Sequence, residues 1–488
     1  MLLGLLPGDD SVFPPDALGA YRGATSAACS DSTGARSLAL EASLMTGRHA
    51  ASLAHLARAR RVTPAGAQTM SKAAPRFVEG AFPTAVTRAQ GCHVWTVDGT
   101  EMIDWGMACA AVALGYAHPV VNDAIRRQLA RGTTASLPYA LEAEVSEALL
   151  AVLPWTAGDG MVRWVSTGSE ATEAAVRVAR IVTGRDLVLS IGYHSWFATW
   201  MAQKPVRPGV PDVFGMVLWD LPYNDLATLD DVLSRGPTKQ EPHGHRLAAI
   251  IIEPTLLDPP APGYLEGLRE RCDRLGALLI FDEIVTGFRW HLGGAAAYFG
   301  IRPDLACYGK ALGNGVPVAC LVGRREVMQE AGVLISGTMG GNGVGLAAAQ
   351  AVLELYQRDP VIRMLWLTGE KFQAGFNERA KVSGVPVEIV GYPVHPVIRF
   401  TEHDETWRRL AMSVFLQETA ARGVLFHPAG NNSSFAHTQE DIDRSLDACE
   451  AAFRVIQAAG DDLASVLKGK PMEPSLIRVA DQGHGGAR

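Results

Sequence analysis

The stretch LAAIII at residues 247–252 is six apolar residues in a row, closed by Glu253 and Pro254. A strand with one wet face alternates apolar and polar side chains, so an unbroken run of this length reads as a strand covered on both faces. Similar runs recur with helical patterns between them. MVRWVS (161–166) reads as a strand, followed by a helix from Ser169 to about Val182 that Gly184 stops. LVLSI (187–191) is another strand. After LAAIII comes a helix carrying Leu265, Leu268, Cys272 and Leu275 on one side, then the strand ALLIF (277–281), ending at Asp282-Glu283. Strands alternating with helices predict an α/β fold with a mainly parallel sheet, whose ligands bind beyond the carboxyl ends of the strands. The polar residues expected there are Ser166-Thr167-Gly168-Ser169, Tyr193-His194, Glu253, Asp282 and Lys310.

A chain of 488 residues can hold more than one domain. Past residue 355 the pattern changes to a helix (361–380), a strand pair near 386–400 and a helix (405–422), the makings of a smaller α+β domain. RAQGCHVWTVDGTEMIDW joins it as a hairpin turning at Asp98-Gly99. The expected division is an N-terminal extension (1–55), a first segment of the small domain (56–115), a large domain (116–354), the rest of the small domain (355–470) and a tail (471–488).

Several functions are disfavoured by composition. A net charge of −7 with no basic stripe argues against nucleic acid. No stretch approaches the ~20 apolar residues of a membrane helix, and MLLGLLPGDD lacks the basic start of a secretory leader. Seven scattered cysteines without C-x-x-C spacing favour neither a disulfide framework nor a metal site. A cytoplasmic protein is expected.

The stretch ACYGKALGNGVP (306–317) sets a lone lysine, Lys310, before Gly313, Gly315 and Pro317. A phosphate-cradling loop would place the lysine after its glycines. Two readings remain, a solvated surface lysine or an amine held ready to join an aldehyde. If Lys310 holds an aldehyde cofactor with a pyridine ring and a phosphate, three demands follow. The ring nitrogen needs a buried carboxylate to stay protonated, which Asp282 can supply. The phosphate needs a helix N-terminus with small residues, and STGSEATEAA offers Thr167, Gly168 and Ser169. The ring face needs an aromatic neighbour such as Tyr193. Each element also has an ordinary reading: Asp282 as a cap, Thr167 and Glu170 as a capping box, the Tyr-His pair as packing.

Together these stretches resemble the class III pyridoxal-phosphate aminotransferases of fold type I, and within them the glutamate-1-semialdehyde aminomutase branch. The likeness rests on VWTVDGTEMIDW, STGSEATEAAVRVAR, GYHSW, LIFDEIVTGFR, PDLACYGKALGNGVPVA, SGTMGGN and FAHTQEDID, spanning roughly 60 to 450. The resemblance implies pyridoxal 5'-phosphate as cofactor and a large domain with a mainly parallel seven-stranded sheet beside a smaller α+β domain. It implies Lys310 as the Schiff-base lysine, Asp282 on the pyridinium, Tyr193 on the ring face, and Gly168 and Ser169 on the phosphate. His194 matches the Tyr-His pair, and Glu253 falls near the ring's 3-hydroxyl side. Thr338 would reach the phosphate of a neighbouring subunit, which implies a homodimer with shared active sites.

The resemblance also exposes departures. Lys72 stands where the branch carries an arginine for the substrate carboxylate, Cys109 where it carries a tryptophan, and Ala429 where it carries a gating glutamate. These point to a two-substrate transaminase, with an amino-acid donor such as glutamate and a keto or aldehyde acceptor on a sugar or specialised metabolite. Arg399 in HPVIRF is a further candidate for a substrate carboxylate. An aminomutase, a racemase or epimerase, and a non-catalytic cofactor-binding protein are the alternatives.

Overall fold

The computed structural model describes residues 48–204, 207–235, 243–331, 334–401 and 404–473. The expected extension up to residue 47, the tail from 474 and Cys29 lie outside them.

Three strands near the start form a meander: β1 (Val86–Gln90), β2 (His93–Thr96) and β3 (Glu101–Asp104). The β2–β3 hairpin turns at Asp98-Gly99, where Gly99 takes the left-handed φ of 78° that the turn requires. Seven strands then build the large sheet: β4 (Gly160–Val165), β5 (Leu187–Ile191), β6 (Leu218–Asp220), β7 (Leu247–Ile252), β8 (Leu278–Asp282), β9 (Leu305–Tyr308) and β10 (Ala319–Arg324). Their order is β4-β10-β9-β8-β7-β5-β6. Only β10 runs against the others, so six carboxyl ends open on one edge. Every residue of β5, β7, β8 and β9 is buried, as their unbroken apolar runs require.

The helix Gly168–Thr183 starts at a capping box between Thr167 and Glu170 and stops at Gly184, whose φ of 64° closes the helix in left-handed geometry. Its buried face of Ala171, Ala174, Ala175, Val178 and Ala179 lies on the sheet. The helix Tyr264–Leu275 buries Leu265, Leu268 and Cys272 against the other face.

The smaller unit combines the meander, the pair β11 (Val387–Val390) and β12 (Val397–Phe400), and β13 (Val424–Leu425), which runs parallel to β3. The helices Val361–Ser383, Glu405–Ala420 and Gln439–Ala459 cover them. Its core is aromatic. Trp105 stacks on Phe372 with ring centroids 4.1 Å apart, and its indole N–H donates to Ser445 Oγ at 2.8 Å. Two helices run through the expected domain boundaries: Ala50–Val62 through residue 55, and Gly343–Arg358, which packs in the large core, through residue 354. No helix among the described residues is long and apolar enough to cross a membrane.

The helix Val361–Ser383 meets the 391–394 backbone at Gly369, where a Cβ would stand 1.7 Å from the Pro393 carbonyl oxygen. Backbone cannot give way as a flexible side chain does. Gly369→Ala is therefore expected to cost about 3 kcal/mol of stability, read as a lower urea midpoint. An unchanged midpoint would contradict this contact.

Candidate active site

Asp282 is the last residue of β8 and is 4% exposed. One carboxylate oxygen meets His194 Nδ1 at 2.7 Å, and the other accepts the Ile284 N–H at 3.1 Å. The His194 ring is wholly buried, edge-on to Trp200, and its residue's carbonyl accepts from Thr172 Oγ1 at 3.2 Å. A carboxylate this deep is costly unless paired, and the histidine supplies the pair.

Beside it, after β5, Tyr193 donates its backbone N–H to Glu253 Oε1 at 2.7 Å. The same carboxylate fills the space above Gly192, where a Cβ would come within 2.7 Å of it. Glu253 thus fixes the chain reversal that carries Tyr193 and His194.

Beyond β4, the helix at Gly168 presents its free N–H groups. The first four N–H groups of a helix have no intrahelical acceptor. Here the Thr167 N–H goes to the Glu170 carboxylate and the Glu170 N–H to Thr167 Oγ1. Those of Gly168 and Ser169 remain at the open end, the arrangement that receives a phosphate. Thr167 is engaged as a cap, its N–H and hydroxyl both donating to the Glu170 carboxylate. The ordinary reading of this stretch therefore holds for its side chain, while the backbone beside it stays open.

Lys310 follows β9 at the head of the 3₁₀ turn Lys310–Gly313 and is half-buried. Its φ is +45°, a conformation that costs an L side chain ~1–2 kcal/mol and recurs at functional sites. Ile284 forms a floor between the segments: a Cβ on Gly168 or Gly309 would meet its Cδ1 at 2.9 or 3.1 Å. Ile284 had gone unremarked in the sequence, although it stands two residues after Asp282.

The three departures from the aminomutase pattern also meet. Cys109 Sγ lies 3.6 Å from Ser71 Oγ, next to Lys72. His427 Nε2 contacts the Ser71 carbonyl at 2.9 Å, and its Nδ1 accepts the Ala429 N–H at 3.1 Å. Lys72 acts on Asp104, whose carboxyl burial pushes up while the Tyr116 hydroxyl, the Gly106 and Met107 N–H groups and Lys72 pull it back.

Thr338 is exposed on the loop after Ile335, and the carbonyl of neighbouring Met339 accepts from Ser166 Oγ at 3.4 Å. Arg399 is a correction. It faces Glu388 directly across the β11–β12 ladder and binds that carboxylate at 2.8 Å on an exposed face. Opposite charges at facing ladder positions pair with each other, so this guanidinium is not turned toward a substrate. A cluster away from the sheet edge, Cys92, His93 and Asp441, brings metal-capable atoms within 4.8 Å of one another. Asp441 is already committed as a helix cap, accepting the Thr438 N–H and hydroxyl as well as the Cys92 thiol.

The family model for aminotransferase class III matches residues 77–453. The chain belongs to the class III aminotransferases. Among its relatives, the glutamate-1-semialdehyde 2,1-aminomutase of Syntrophobacter fumaroxidans is 36% identical over 406 residues, covering 77% of this chain and 91% of the relative. That of Desulforamulus reducens is 34% identical over 426 residues, covering 81% and 96%. In structure the chain resembles an omega-transaminase from Sphaerobacter thermophilus (TM-score 0.74, 26% identity, 83% of this chain and 97% of that one). It also resembles the FumI protein of Sphingopyxis sp. MTA144, solved with its PLP (TM-score 0.77, 25% identity, 86% and 99%). The fold is the type I fold of PLP-dependent transferases, and the cofactor of this class III transaminase is pyridoxal 5'-phosphate. The residues present fit that group: open N–H donors at a helix start, a buried carboxylate, and a floor that only glycines let the chain approach.

One buried histidine gives this fold a measurable pH signature. His437 stacks on Trp105 at 4.3 Å and accepts the Ser434 N–H at Nδ1, and burial pushes it from 6.5 down to about 4. Its neutral form is the native one, so its share of stability is complete above pH ~6.5 and is lost as the pH falls toward 4. Glu283, pushed up to about 7 by burial, has the opposite sign in the same interval. The expected result is therefore a difference. Between about pH 7.5 and pH 5, wild type should lose about 2 kcal/mol more urea-unfolding free energy than His437→Gln. Equal losses would contradict a neutral native His437.

Proposed function

We propose that the chain moves an amino group from an amino-acid donor, with glutamate the first candidate, to a keto or aldehyde acceptor, with Lys310 as its catalytic lysine. The observation that carries this is the meeting, at one sheet edge, of the strained Lys310 turn, the buried Asp282–His194 pair and the open N–H groups of Gly168 and Ser169. When bound, the cofactor supplies a carbonyl that accepts an amine and a ring that draws electrons from the adjacent carbon. Lys310 would hold that carbonyl, and its amine would serve as the base that moves the substrate proton. Asp282 would keep a positive charge at the ring nitrogen, His194 holds Asp282 in place, and Tyr193 would face the ring. Gly168 and Ser169 bind phosphate through the backbone, with Thr167 capping the helix behind them. Glu253 positions Tyr193.

Lys72, exposed next to Ser71, whose hydroxyl meets Cys109, is the nearer candidate for a substrate carboxylate. The exposure of Thr338 suits a homodimer in which it reaches a second copy's phosphate. Six free cysteines among the described residues, five of them buried, suit a reducing cytoplasm. A second reading, the 2,1-aminomutase, is favoured by relatives of that name at 34–36% identity. It needs one substrate where the transaminase needs two.

The visible spectrum separates the readings. Addition of L-glutamate followed by desalting should convert the yellow carbonyl form permanently to the amine form. A band that never moves, or that returns on desalting, would overturn glutamate donation and leave the mutase or another donor. Lys310→Ala should lower turnover by roughly 10²–10⁴-fold with the far-UV spectrum unchanged. Normal turnover would sink the assignment of Lys310.

A further inference from the structure

Met107, Ala108, Cys109 and Ala110 have φ values of 42°, 52°, 58° and 69°. Four non-glycine residues in succession thus form a left-handed turn, at a cost of ~1–2 kcal/mol each. Such a turn persists only where its surroundings over-determine it. The surroundings here are specific. Asp104 Oδ1 accepts the Gly106 and Met107 N–H groups at 2.7 and 3.2 Å, fixing the entry. Asn432 donates to the Gly106 carbonyl at 3.1 Å.

The exit is held by two residues from the cofactor side. Arg289 lies seven residues past Asp282 and is 0% exposed. It donates to the carbonyls of Ala110 at 3.0 Å, Val112 at 3.3 Å and Ser433 at 3.0 Å. Burial pushes this guanidinium down to about 10. Asn314 lies four residues past Lys310, closing its 3₁₀ turn in left-handed geometry with φ 45°. Its Oδ1 accepts the N–H groups of Ala113 and Leu114 at 3.0 and 2.9 Å, and its Nδ2 donates to the Gly115 carbonyl at 2.9 Å. Asparagine tolerates this φ while carrying both a donor and an acceptor, which glycine lacks.

The held segment turns Met107 and Ala110 inward and leaves Ala108, Cys109 and Ala111 half-buried. Cys109 is also the residue that meets Ser71, beside Lys72. We propose that Asn314 and Arg289 are positioning residues that lock the 107–115 segment, as the substrate-facing wall, in register with the Lys310 turn. Within the proposed amino-transfer reaction, on which this rests, they set where the substrate sits relative to the lysine without touching either. The strain stored in the turn makes the wall sensitive to these few hydrogen bonds.

Asn314→Gly tests this cleanly, because glycine accepts the native φ and only the amide is lost. Asn314→Asp retains the two accepted bonds to Ala113 and Leu114 and serves as the conservative control. Hydrogen exchange of the holoenzyme is measured alongside its reaction with aminooxyacetate, a small amine-bearing carboxylate followed by loss of cofactor absorbance. In Asn314→Gly the amides of Ala113 and Leu114 should exchange at least about tenfold faster. The half-saturating aminooxyacetate concentration should rise about tenfold with the maximal rate within about threefold, the pattern of lost substrate positioning. Asn314→Asp should keep slow exchange at Ala113 and Leu114.

Unchanged exchange in Asn314→Gly would overturn the clamp. Faster exchange with unchanged half-saturation would overturn the wall, leaving Asn314 a purely structural residue. Failure of wild type to react with aminooxyacetate would instead strike the proposed function, and the exchange result would still decide the clamp.

Discussion

A carboxyl group, Asp282, is buried at the end of a strand with no wet face, and the structure around it answers to that fact. The side chain is tolerable only because His194, itself buried, stands 2.7 Å away. Breaking a buried pair by removing one member typically costs ~3–5 kcal/mol, so His194 must be delivered accurately. The loop after β5 delivers it, and Glu253 at the end of β7 holds that loop through the Tyr193 N–H. Adjacent parallel strands thus brace one another's terminal residues. Because six strands share a direction, their polar ends accumulate at one edge, where chemistry can be assembled from distant parts of the chain.

The second constraint is backbone strain. Lys310, Asn314 and the Met107–Ala110 turn all carry positive φ, and they come from segments about 200 residues apart. They are joined by the Asn314 amide and the Arg289 guanidinium, so the strained pieces support each other. Such a site holds its geometry before any substrate arrives, and that is the setting in which a lysine can move a proton repeatedly along one path.

Much of this was legible in the sequence. Apolar runs named the buried strands because a strand covered on both faces leaves little place for a polar residue. The β2–β3 turn was marked by Asp98-Gly99, and Gly184 marked the end of its helix by the φ it alone adopts cheaply. The pairing of Asp282 with Lys310 across 28 residues carried the family. Arg399 misled: a lone arginine in an apolar strand looks like a ligand until the opposite strand is known, and Glu388 is invisible as its partner before the register is set. Arg289 and Asn314 gave no signal, since an arginine in a loop and an asparagine among glycines are commonplace.

The sequence by itself determined the fold class and the residue types at the strand ends, because burial and turn geometry are local demands that each segment answers alone. Only the tertiary structure decided which side chains meet. It spent Arg399 on Glu388, gathered Lys72, Cys109 and Ala429 through Ser71 and His427, and fastened the left-handed turn to the lysine's own loop. The first depends on strand register, the others on packing between segments hundreds of residues apart. No local pattern encodes a partner at that distance.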